Sequence, residues 1–247
     1  MFPKLFSVGH MHLRSWGLMV AISFLTVIYG IAWRAQRRQI MSADDVFEGG
    51  LIAIFSGLLG ARVAYVIEYW SFFVQRPLEI VMLQRGGLVF YGGLLGALAA
   101  LWVWSVYKEF RIGRVFDLTA PVFMVGIGIG RLGCFLNGCC AGKATTLPWG
   151  VLFPGTAGRV HPTQLYDSAA MFTLATIAFV VEPWLKHEGQ LIGFCLVEYT
   201  VFRFLIEYLR VNPVYAGLSS AQWISLPLLA VGLLLLLRKA TAVPHKP

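Results

Sequence analysis

Seven apolar runs, each close to the length that crosses a bilayer, limit what this chain can fold into. They cover residues 17–33, 49–69, 87–107, 118–134, 165–182, 190–209 and 220–237. About 20 predominantly apolar residues are needed for a helix to traverse the hydrocarbon core. In hydrocarbon the backbone must satisfy its own hydrogen bonds, so each run is read as a helix. Composition agrees: 58% of the 247 residues are hydrophobic, 13% are charged, and the mean hydropathy is +0.72. Those values lie outside the range of ordinary soluble domains. The expected fold is therefore all-α, a polytopic membrane bundle of about seven transmembrane helices. No linker, repeat or low-complexity tract interrupts it, so residues 1–247 are expected to form a single domain. The first run is not a cleavable signal peptide, because Arg34, Arg37 and Arg38 follow it and no small-x-small cleavage site appears.

Lys and Arg in the connections indicate an orientation. With the N-terminus outside, the inner segments hold ten: Arg34, Arg37, Arg38, Lys108, Arg111, Arg114, Lys186, Arg238, Lys239 and Lys246. The outer segments hold six: Lys4, Arg14, Arg76, Arg85, Lys143 and Arg159. The bias favours an N-out, C-in arrangement. The net charge of +8 suits an anionic lipid surface. Nucleic acid is not an expected partner, because no Lys/Arg-rich run or nucleic-acid module is present.

Four arginines fall outside the loops: Arg62, Arg131, Arg203 and Arg210. The acids Glu68, Asp117, Asp167, Glu198 and Glu207 also lie in or at the ends of apolar runs. An arginine within a span costs about 2.5–3.5 kcal/mol on insertion scales, so it faces a partner, a watery cavity or the interface. Arg131 opens the run Gly130-Arg131-Leu132-Gly133-Cys134-Phe135-Leu136-Asn137-Gly138-Cys139-Cys140. Its guanidinium can fork onto a phosphate, or it can pair with Asp117 or Glu207. Arg203, Glu207 and Arg210 share one helical face with a surplus of positive charge. Asn137 offers two donors and an acceptor.

The stretch 86–96 carries five glycines, which permit close helix approach, and Tyr91 sets a hydroxyl among them. His161-Pro162-Thr163-Gln164-Leu165-Tyr166-Asp167 reads as the opening of the fifth span, with Thr163 as its N-cap. His161 there is either part of the cap or a proton carrier and phosphate donor. The C-x4-C-C spacing of Cys134, Cys139 and Cys140 lacks a second metal-binding half, so no metal site is expected. Packing of small thiols, or a disulfide involving Cys134, remains open.

Taken in order along the chain, these motifs resemble the prolipoprotein diacylglyceryl transferase family. The resemblance rests on Gly17-Leu18-Met19, Gly60-Ala61-Arg62, the glycines of 86–96, Gly130-Arg131-Leu132-Gly133 through Asn137-Gly138, the 161–167 motif, and Arg203 with Glu207. It implies a multi-pass enzyme of the bacterial inner (cytoplasmic) membrane that needs no cofactor. Its substrates would be phosphatidylglycerol, among the membrane lipids, and the lipobox cysteine of prolipoprotein signal peptides. The diacylglyceryl group moves to the thiol and glycerol phosphate is released. Carried over, Arg131, Arg203, Glu207, Tyr91 and His161 would be catalytic, and Arg62, Asn137, Gly138, Gln164 and Tyr166 would bind substrate. The family usually has histidine where Tyr91 stands, asparagine where Cys134 stands and glutamate where Cys139 stands. Those departures keep two other readings in view: a non-catalytic lipid carrier or lipid-binding protein, and a paralogue that alkylates another acceptor.

Overall fold

The computed structural model describes residues 4–8, 11–82 and 86–238. Arg85, Lys239 and Lys246 of the charge comparison lie outside the described residues. The chain divides into two compact units, one of Met1–Ile31 with Phe116–Pro247, the other of Ala32–Val115.

The first unit opens with an antiparallel hairpin, β1 (Lys4–Val8) and β2 (Met11–Arg14), which leads into α1 (Ser15–Arg38). Later in the chain α5 (Ile112–Asn137) packs on the first part of α1, where the Ser23 hydroxyl donates to the Gly126 carbonyl at 2.7 Å. Two short strands, β3 (Val151–Leu152) and β4 (Arg159–Val160), pair ahead of α6 (Thr163–Val181). Then come α7 (Gln190–Ile206), a 3₁₀ turn (Glu207–Leu209), the ribbon β5 (Val214–Tyr215) and β6 (Leu218–Ser219), and α8 (Ser220–Leu237). Their core joins Ala120 and Met124 of α5, Met171, Ala175 and Ala178 of α6, and Leu191 and Cys195 of α7. Asp117 is committed elsewhere than to an arginine of the site. Its carboxylate accepts from the backbone N–H of Gly189 at 2.6 Å and of Ile192 at 2.8 Å. That satisfies N–H groups which the start of α7 leaves without helical partners, at the end of the helix dipole that favours an anion.

The second unit is built on α2 (Ala43–Glu68) and α4 (Phe90–Tyr107), with the short α3 (Trp70–Gln75) and a 3₁₀ turn (Pro77–Val81) between them. A capping box starts α2, with Ser42 Oγ accepting from Asp45 N–H and the Asp45 carboxylate accepting from Ser42 N–H. This polar turn explains why the helix begins six residues before the apolar run at 49. Gly92, Gly93 and Gly96 approach Gly57 and Gly60 of α2 closely enough that side chains cannot fit. A Cβ at Gly60 would lie 2.4 Å from the Gly92 carbonyl oxygen, and one at Gly92 would lie 2.3 Å from Ala64 Cβ.

Among the described residues, five helical segments are long and apolar enough to cross a membrane: α1, α2, α5, Thr163–Trp184 and α8. Tyr91–Tyr107 is a shorter apolar helix. Outward-facing Phe55, Leu59, Leu95 and Leu234 are each exposed by 66% or more, a surface suited to acyl chains rather than water. The chain is a helical membrane protein.

Candidate active site

The site of the first unit starts where α5 ends. Gly138 has a φ of 76°, the left-handed conformation that terminates a helix and that glycine adopts without a Cβ penalty. Its N–H bonds the Phe135 carbonyl, and Cys139 N–H bonds the Cys134 carbonyl at 3.2 Å. This is the paired hydrogen-bond pattern of a Schellman motif. Gly138 thus turns the chain out of the membrane helix.

The emerging loop is held between two other segments. Gly142 N–H donates to the His161 carbonyl, His161 N–H to the Lys143 carbonyl, and Lys143 N–H to the Leu209 carbonyl, at 2.8–2.9 Å. A Cβ at Gly142 would stand 2.5 Å from the Leu209 oxygen and 2.7 Å from Thr163 Cγ2, so only glycine fits between them. The loop after Arg131, the 161–167 motif and the end of the Arg203 helix therefore converge.

Two buried carboxylates organise the charge. Asp167, on the first turns of α6, lies 3.1 Å from Arg131 Nε and 3.3 Å from Arg210 Nη1. Glu207 holds Arg203 at 2.5 Å and also accepts from the Asn212 amide. The carboxylate side chains are 5% and 3% exposed, whereas Arg131 and Arg203 keep 25% and 17%. Each of these arginines is tied at one nitrogen to a buried acid and remains open on its other side. Arg210 is buried, and burial pulls its guanidinium below the ordinary arginine value; Asp167 opposes this, while Arg131 and Arg203 add to it. Three arginines thus share two acids, which leaves one positive charge for an anion.

Other expected site residues have mixed placements. His161 Nδ1 lies 3.4 Å from the Tyr166 hydroxyl, which also accepts from Trp149 Nε1 at 2.8 Å. Gln164 is fully buried, and its amide donates to the Cys139 carbonyl. Thr163 is the first residue of α6 rather than its N-cap, which is Pro162. Its hydroxyl donates instead to the Cys140 carbonyl at 3.0 Å, because the loop supplies an acceptor that the helix end does not. Asn137 is the last residue of α5, next to Gly138.

Arg62 and Tyr91 belong to the second unit. All five Arg62 donors meet backbone carbonyls: Nε to Ile80, Nη1 to Gly86 and Gly87, and Nη2 to Glu79 and Met82. Its guanidinium also stands over the rings of Tyr65 and Phe73. Arg62 therefore anchors the segment leading into α4. Tyr91 is 53% exposed on the first turn of α4.

Sequence reasoning left Asp167, Arg210, Asn212 and Trp149 off the list of site residues. Asp167 and Arg210 carried a signal, each being an ionisable group beside an apolar run. Trp149 and Asn212 lie in connecting loops and carried none. The pairing of Arg131 with Asp117 or Glu207 is replaced by pairing with Asp167. All four cysteines are free thiols, and Cys134 is not in a disulfide.

Residues 3–238 match the family model described as prolipoprotein diacylglyceryl transferase. The chain belongs to the prolipoprotein diacylglyceryl transferase family. Among its relatives, a phosphatidylglycerol–prolipoprotein diacylglyceryl transferase of Dehalococcoides mccartyi is 34% identical over 236 residues, 93% of this chain and 90% of the relative. Proteins of the same name from Geobacter sulfurreducens and Mannheimia succiniciproducens are 33% and 34% identical. They align over 94% and 98% of this chain and over 92% and 96% of their own lengths.

Proposed function

We propose that this protein transfers the diacylglyceryl group of phosphatidylglycerol to the lipobox cysteine thiol of a prolipoprotein in the bacterial inner membrane. The observation that carries the reading is the pair Arg131 and Arg203, each held by a buried carboxylate and each partly open, with one unmatched positive charge between them and Arg210. The thiol sulfur attacks the glyceryl carbon next to the phosphate, and a C–S bond forms as the C–O bond breaks. The electron pair of that C–O bond leaves with glycerol phosphate, and the thiol proton passes to a base. Charge gathers on the departing phosphate, where preorganised guanidinium groups stabilise it more than they stabilise the bound lipid.

The reacting group on the client is a thiolate, so a proton acceptor is needed. His161, whose Nδ1 lies 3.4 Å from the Tyr166 hydroxyl, takes that role. A tyrosine has a reference pKa of about 10 and is the weaker base. Asn137 lines the head-group side, Gly138 and Gln164 shape the loop beneath it, and Arg62 acts by anchoring its own segment. Seven spans with the N-terminus outside complete the proposed topology.

Lipidation of a lipobox peptide in phosphatidylglycerol vesicles tests the reading. Arg131→Ala and Arg203→Ala each lower turnover by about 10²–10³, the usual loss when a donor to developing charge is removed. Wild-type turnover in both variants would overturn the assignment. Tyr91→Phe tests the phenol separately; unchanged turnover leaves deprotonation to His161.

A further inference from the structure

We propose that Cys134, Cys139 and Cys140 form a binding site for a soft, thiophilic cation, Cu(I) foremost, in three-sulfur coordination. The three sulfurs lie within 4.8 Å of one another, and those of Cys139 and Cys140 are 3.5 Å apart. Sulfurs placed at a metal–thiolate distance of about 2.3 Å around one trigonal centre stand about 4.0 Å apart. The spacing in the protein brackets that value, so an ion can be seated by small rotations of the side chains.

The scaffold is built before any ion arrives. Cys134 lies on the last turn of α5, and the Schellman pair ties Cys139 back to it. Cys140 adopts a φ of 65°, a left-handed conformation uncommon for a residue with a Cβ. The carbonyls of Cys139 and Cys140 are pinned by Gln164 and Thr163, both fully buried. Supporting hydrogen bonds of this kind orient ligands and are as much a part of a metal site as the ligands are. Cys140 is exposed and supplies the entry path.

The donor set selects the ion. Three thiolates are soft ligands suited to Cu(I) or zinc. Structural zinc takes four ligands, and no fourth Cys, His, Asp or Glu joins the group among the described residues. A monovalent soft ion satisfied by three sulfurs fits better. Binding needs deprotonated thiols, so Cu(I) uptake displaces their protons. The site borders the proposed head-group site and shares Gln164 with it, so its test reads Cu(I) binding and thiol protection rather than lipidation.

The test uses the full-length protein in detergent, reduced and free of metal, titrated anaerobically with Cu(I) against a chromogenic Cu(I) chelator. One equivalent is expected to bind, with X-ray absorption giving three sulfur neighbours at roughly 2.3 Å, as in metal–thiolate bonds. Bound Cu(I) protects three of the four thiols from maleimide, read by intact mass on the wild-type protein. Cys134→Ser, Cys139→Ser and Cys140→Ser each lose at least tenfold in affinity, whereas Cys195→Ser binds as the wild type does. Wild-type protein that withdraws no Cu(I) from the chelator, or gains no thiol protection, would overturn the proposal. So would an equal loss in Cys195→Ser.

Discussion

Asp167 is the residue on which the site's electrostatics turn. It pairs with Arg131 and Arg210 from one buried position, so its removal strands the buried Arg210 guanidinium without its acid. Breaking a buried pair by removing one partner costs about 3–5 kcal/mol. Asp167→Ala is therefore expected to lower the melting temperature in detergent well beyond any effect of Thr146→Ala at an exposed loop position. Equal melting temperatures would mean that water, rather than Asp167, balances the arginines. The loop thiols give a second prediction at this scale. A hydrogen bond with Cys134, and then burial, pushes the Cys140 thiol above the ordinary thiol range; burial pushes Cys139 up as well. The thiolate is the species that alkylates, and a raised pKa lowers its fraction at fixed pH. In the metal-free protein, maleimide should modify both more slowly than free cysteine at pH 8, and the deficit should narrow as pH rises. Peptide mapping by mass spectrometry after timed labelling reads this directly.

Among the elements, α7 depends on a residue far away in sequence. Asp117 of α5 caps its first turn through Gly189 and Ile192, and no residue adjacent to α7 does so by its side chain. Losing a side-chain cap costs about 0.5–2 kcal/mol. Asp117→Ala should therefore speed amide hydrogen exchange at Gly189 and Ile192 while leaving the start of α8 unchanged. That start has its own capping box, Ser219 with Gln222. Helix spacing in the second unit gives the next test. Gly60→Ala places a methyl group where the Gly92 carbonyl oxygen already sits, an overpacking that typically costs about 1–3 kcal/mol. Thermal melting of that variant should show it, and an unchanged transition would mean that α2 and α4 separate without cost. Helix existence was legible in the sequence because long apolar runs admit little else in a bilayer. Helix ends were less legible. Polar caps such as Ser42–Asp45 extend helices beyond their apolar stretches, and a cap supplied from another helix leaves no local trace.

For the whole molecule, the proposed N-out arrangement puts Thr146 outside and Lys186 inside. In a background without native cysteines, Thr146→Cys should react with a membrane-impermeant maleimide on intact cells. Lys186→Cys should react only after the cells are opened; the reverse pattern would invert the topology. Hydropathy and ordered motifs were enough to determine a helical membrane protein of this transferase family, because both are properties of residue type and spacing along a chain. Which acid meets which arginine was decided only by tertiary structure, since Arg131, Asp167 and Arg210 come from three separated segments. The same holds for Gln164 and Thr163, whose buried polar groups found their acceptors on the loop of Cys139 and Cys140 rather than on their own helix. A sequence states that a buried charge or amide needs a partner; the partner is settled by which segments the fold brings within hydrogen-bonding distance.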